Sequence, residues 1–146
     1  MRKYFLIILI LVFSIKAFSQ NSYIAIIDPA IGLSQSELKI FLRGILNGRE
    51  PGTSPNTDKI IYTLDNVDTH TDYYIDKDSC LSAGIRFKNE VEYKKAQEEI
   101  ESTCPQDERL KNTYYKISKN KRIVYYRLDN EQQIIIALEK NFMFKK

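Results

Sequence analysis

Three strand-length runs near the C-terminus constrain the fold more than any other part of the chain. Thr113–Ser118, Lys121–Asp129 and Gln132–Leu138 are rich in Tyr, Ile and Val, and the breaks between them, Lys119-Asn120 and Asn130-Glu131, are short and polar. Strands joined by such tight turns pair antiparallel with their neighbours, so the segment reads as a β-meander. A two-residue turn at Lys119-Asn120 also fixes register, setting Tyr114 opposite Tyr125. Carried into the last strand, that register puts Ile123, Ile134, Ile136 and Leu138 on the same face as the Tyr114–Tyr125 pair. The other face holds Tyr115, Ile117, Val124, Tyr126, Leu128 and Ile135, so both faces are apolar. The doublets Tyr73-Tyr74, Tyr114-Tyr115 and Tyr125-Tyr126 each send one ring to either side of a sheet.

The upstream half alternates strand and helix signals. Tyr23–Ile27 is a short apolar run ending at Asp28-Pro29 and reads as a strand. Ser34 and Glu37 form a capping box, Leu33 and Leu38 a hydrophobic staple, and Leu38, Phe41, Leu42 and Ile45 recur at helical spacing until Asn47-Gly48. Asn47 to Asp58 is rich in Gly, Pro, Ser and Asn and reads as a long loop. Strands follow at Lys59–Asp65, His70–Asp76 and Leu81–Lys88. A second helix covers Asn89–Thr103, with Tyr93, Ala96, Ile100 and Cys104 on its inner side. The order is βαββ followed by βαβββ. The expected fold is therefore α+β, one domain with a mostly antiparallel sheet and two helices on one face, built from two βαββ-like halves.

Residues 1–19 carry a different message. Arg2 and Lys3 precede an apolar run from Tyr4 to Phe13, and Ala17 and Ser19 supply small residues for signal-peptidase cleavage. The apolar run is about half of what a bilayer-spanning helix needs. The expectation is a signal peptide, a mature domain of residues 20–146 that is secreted or periplasmic, and no stable membrane anchor after cleavage. The whole chain has 22 basic and 19 acidic residues, and removing Arg2, Lys3 and Lys16 leaves 19 of each. A charge-balanced domain has no long-range field for phosphodiester backbones, so no nucleic-acid partner is expected. The basic cluster Lys116, Lys119, Lys121 and Arg122 reads as a solvated hairpin tip. In an exported chain the two cysteines, Cys80 and Cys104, read as a disulfide. A strand and an antiparallel helix of similar length would bring them to one end of their unit.

Chemical motifs are sparse. His70, Asp72, Tyr74 and Asp76 share one face of a strand, where an imidazole flanked by carboxylates could hold a divalent cation or act as a tuned base. No Gly-x-Ser-x-Gly elbow and no phosphate-cradling glycine loop is present, and no cofactor is implied. The segment Ser34–Gly44, following Tyr23–Ile27 and Asp28-Pro29, resembles the opening of periplasmic phosphate-binding-type proteins. That resemblance implies a strand–helix start. It transfers no site, because no later Ser/Thr-Gly cluster follows to receive an anion.

The leading functional expectation is an exported, non-enzymatic interaction protein that meets a protein partner, or a second copy of itself, through a tyrosine-rich sheet face. The residues expected to carry it are Tyr114, Tyr125, Ile123, Ile134 and Ile136. Two alternatives stand beside it. One is a small metal-dependent or hydrolytic enzyme centred on His70, Asp72 and Asp76, and the other is a periplasmic solute-binding module using the loop from Asn47 to Asp58.

Overall fold

A computed structural model describes residues 22–54, 60–118 and 121–139. The leader, the turn residues Lys119 and Asn120, and the tail with Phe142, Met143 and Phe144 lie outside the described residues.

The chain opens with a short helix α1 (Tyr23–Ile27), where a strand was expected. Ser22 caps it, its Oγ accepting from the Ala25 N–H at 2.9 Å, and Ile24 and Ile27 fall three apart on its buried side. A five-residue apolar run carries no periodicity that separates helix from strand, and here packing decides. Tyr23 meets Phe87 edge-on, with ring centroids 5.1 Å apart, and its hydroxyl donates to Glu92 at 2.7 Å. Asp28–Ala30 continues as a 3-10 turn with Pro29 in its first positions. The expected βαββ first half therefore does not form.

Helix α2 (Gln35–Ile45) follows the sequence signals closely. Both arms of the Ser34–Glu37 capping box are made, Leu38 and Leu42 are buried, and Asn47 and Gly48 leave the helix at positive φ. The following loop folds back as a two-residue edge strand β1 (Gly52–Thr53) along β2 (Ile60–Asp65). Strand β3 (Thr69–Asp76) and β4 (Ser79–Phe87) form a hairpin whose turn residues, Lys77 and Asp78, both have positive φ. That is the type I′ geometry, which matches strand twist even without the usual Asn-Gly. Helix α3 (Glu90–Thr103), capped by Asn89, leads to β5 (Thr113–Ser118), β6 (Lys121–Leu128) and β7 (Gln133–Leu138).

Among the described residues seven strands form one antiparallel sheet in the order β1-β2-β3-β4-β7-β6-β5. The fold is α+β, with three helices and a wholly antiparallel sheet among the described residues. The meander register is as expected, with Tyr114 opposite Tyr125 and Tyr125 opposite Ile136. One core joins Ile24, Ile27, Leu38, Leu42, Tyr93, Ala96 and Ile100 of the helices to Tyr73, Ile85, Tyr125, Ile134 and Ile136 of the sheet. All three helices thus cover the same face.

Cys80 and Cys104 are free, buried thiols rather than a disulfide. Length matching brings two ends together only if the helix runs back along its own strand. Here α3 crosses the sheet, and just after Cys104 the Pro105 carbonyl accepts from Tyr115 N on β5, the far edge. β5 lies three strands from β4, about 14 Å at ordinary strand spacing, whereas bridged cysteines need Cα atoms within about 7 Å. A bulge in the β3–β4 ladder leaves Leu81 unpaired and turns Cys80 inward, against the Ser82 carbonyl at 3.6 Å.

Candidate functional site

The five residues expected to meet a partner lie on the helix-covered face. Tyr125, Ile134 and Ile136 are fully buried, Ile123 is 5% exposed and Tyr114 8%. Tyr125 is also tied internally, its hydroxyl donating to the Asp28 carboxylate at 2.8 Å. Burial and the Asp28 charge together push its phenol far above its ordinary range. Tyr114 stacks close to Arg127, and its hydroxyl lies 3.5 Å from Glu101. These residues form part of the core and present no surface to a partner.

On that opposite side no described helix packs. Strand alternation brings Ile61, Tyr74, Ile135, Ala137, Tyr126 and Tyr115 to it, across β2, β3, β7, β6 and β5. Its centre is a groove of about 460 Å³ over β3, β4 and β7, walled by Tyr74, Leu81, Ile135, Ala137 and Leu138. Gly84 is its floor. A Cβ there would stand 3.0 Å from the Gln133 amide and 3.8 Å from the Tyr74 ring, so glycine lets the aromatic ring lie close to the backbone. Asp76 and Ser82 add polar groups to the walls. Part of the face nearer the β5 edge is closed by the segment after α3. Asp107 donates its N–H to the Thr113 carbonyl and its carboxylate accepts from Arg122 at 2.8 Å, and Val124 and Arg122 are buried.

The His70 constellation forms only in part. His70, Asp72, Tyr74 and Asp76 do share the outer face of β3, all half-buried. His70 Nε2 lies 3.1 Å from Asp72 Oδ1, and Nδ1 lies 3.4 Å from Asp65 Oδ1. Asp65 in turn accepts from Lys88 at 2.7 Å, and that hydrogen bond holds its carboxyl below the ordinary range. Asp76 stands six residues along the strand from His70, about 20 Å at strand rise, so the two cannot share one cation. Among the described residues no group of three or more His, Cys, Asp or Glu side chains converges on a metal-sized site. His70 lines none of the three hollows noted in this structure.

The glycine-rich loop splits between β1 and residues 55–59, which lie outside the described residues. Its described part lines none of those three hollows; Arg49 turns back to the Leu46 carbonyl, and Glu50 pairs with Lys39 and Arg43. Sequence reasoning missed the Gly84 groove, although its signal was present: a glycine inside a strand commonly marks close approach of another group.

Compared with protein-family models, curated proteins and solved structures, the chain matches none. With α1 in place of the expected strand, the likeness of Ser34–Gly44 to phosphate-binding proteins reduces to a well-capped amphipathic helix.

Proposed function

We propose that this chain is an exported, non-enzymatic binding protein that holds a protein partner on its outer sheet face. The observation that carries the reading is the asymmetry of the sheet. The three described helices bury one side, while on the other a groove of about 460 Å³ with largely apolar walls lies over Gly84. Monomeric domains seldom leave a contiguous aromatic and aliphatic surface without a use. The groove suits one aliphatic or aromatic side chain of a partner, seated against Tyr74 and Ile135, with Ser82, Gln133 and Asp76 at its walls for main-chain or polar contacts. Among the described residues no helix is long and apolar enough to cross a membrane, and the export half of the reading rests on the leader pattern of residues 1–19.

The test is site-specific photo-crosslinking in the native host. A benzophenone side chain replacing Gln133 should give one adduct of defined mass, and one replacing Glu98 on the outer side of α3 should give none. Ile135→Glu should abolish the Gln133 adduct while leaving the thermal midpoint within a few degrees. Equal crosslinking from both positions, no adduct at Gln133, or an adduct insensitive to Ile135→Glu would each refute the assignment. An adduct twice the chain mass identifies the partner as a second copy.

A further inference from the structure

A second hollow, of about 470 Å³, lies on the helix side between the 28–33 turn and the β5–β6 hairpin, independent of the outer groove. Its apolar lining is Ala25, Pro29, Ile31, Leu33 and Ile123, and its charged lining is Asp28, Lys116 and Lys121. Those charges are not equivalent. Asp28 is 11% exposed and fully engaged, accepting from the Tyr125 hydroxyl at 2.8 Å and from Lys116 Nζ at 3.1 Å. The charge of Lys116 is matched within the wall. Lys121 makes no hydrogen bond or ion pair to a described residue. The carboxylate whose field it feels, Glu37, is held by the Ser34 N–H and hydroxyl at 2.8 and 2.7 Å.

Gly32 explains how the lysine comes to the rim. Its φ of +92° suits glycine, and a Cβ there would stand 2.5 Å from Lys121 Nζ. Removing that methyl lets the ammonium group lie against the turn. The result is a hollow of ordinary small-molecule size, with aliphatic walls, no aromatic ring in its lining, and at its edge one cation that is hydrogen-bonded or ion-paired to no described residue. Aliphatic walls favour a flexible hydrocarbon chain over a stacked ring, and an ammonium at the mouth favours a single anionic head.

We propose that this hollow binds a free medium-chain aliphatic carboxylate, its chain against Ile31, Leu33 and Ile123 and its carboxylate on Lys121. Octanoate titrated into the full-length chain, with Ala, Ile and Leu methyl groups labelled for NMR, tests it. The methyls of Ala25, Ile31, Leu33 and Ile123 should shift and saturate, and those of Ile135 and Ala137 should stay. Octanol, which lacks the charge, should bind about tenfold more weakly, and Lys121→Met should weaken octanoate by about tenfold without changing octanol. Lys121 is exposed and holds no described residue by a hydrogen bond or ion pair, so this variant keeps the fold. Ala25→Asp, at another exposed position, should block octanoate by placing a like charge on the wall. Equal binding of octanoate and octanol, indifference to Lys121→Met, or shifts confined to Ile135 and Ala137 would overturn the proposal, as would the absence of any saturable shift.

Discussion

Arg122 shows how far a single side chain can depart from the pattern around it. It belongs to a basic run at a hairpin, yet it is 8% exposed, with its guanidinium 4.3 Å above the Tyr115 ring and bonds to Asp107 at 2.8 Å and Glu139 at 2.6 Å. Asp107 also accepts from the Arg109 backbone N–H at 2.9 Å. That bond first, and the Arg109 and Arg122 side chains after it, lower the Asp107 pKa from 3.8 to about 2. Because the folded value is depressed, the stability this cluster contributes is complete above the unfolded value near 4 and disappears as pH falls through about 2. Urea denaturation at stepped pH should therefore show wild-type stability falling between those limits. Asp107→Asn should be less stable at neutral pH and flatter across the same window, and parallel profiles would remove Asp107 from the account. The residue pattern alone could not place Arg122 in the interior, because the segment that buries it, residues 105–112, has no periodicity of its own.

At the scale of elements, legibility followed locality. Helix α2 was readable because its cap, staple and stop all lie within the segment itself. Replacing Ser34 with Ala removes the acceptor for the Glu37 N–H and should cost about 1 kcal/mol in denaturant titration. Ser34→Thr, which keeps a hydroxyl acceptor, should recover most of the loss. The C-terminal meander was readable for the same reason, since its register is set by adjacent turns. Three features were not. Tyr23–Ile27 takes its state from contacts with Phe87 and Glu92, more than sixty residues away. The Lys77-Asp78 turn uses left-handed backbone without glycine or asparagine to announce it. The direction of α3 across the sheet is set by distant partners. Asp129 accepts from Tyr93 at 2.6 Å and Gln97 at 3.0 Å, and Glu101 pairs with Arg127. That crossing is what parts Cys80 from Cys104 and moves Tyr114 and Tyr125 beneath the helices.

For the molecule as a whole, enclosure of one side of the sheet accounts for the thiol chemistry as well as the core. Burial pushes the Cys80 thiol up to about 12 and raises Cys104 above its ordinary value. Neither forms thiolate readily at neutral pH, so both react only when the structure opens. Maleimide labelling followed by intact mass should leave native protein unmodified over minutes and add two groups at once in denaturant. Rapid single labelling of the native chain would mean that one sulfur is nearer the surface than its burial indicates.

The last described strand, β7, is the fifth of the seven described in the sheet, inserted between β4 and β6. Everything before it can assemble only as two separate hairpin systems, one at each end of the sequence. The β4–β7 seam, with Ile85 opposite Ile134 and Ala83 opposite Ile136, joins them across roughly fifty residues of intervening chain. Long-range pairing of this kind is slow, because chain entropy must be surrendered before any contact is gained. The sheet is therefore complete only once β7 has docked against both β4 and β6, a closing step that neither hairpin system can take alone.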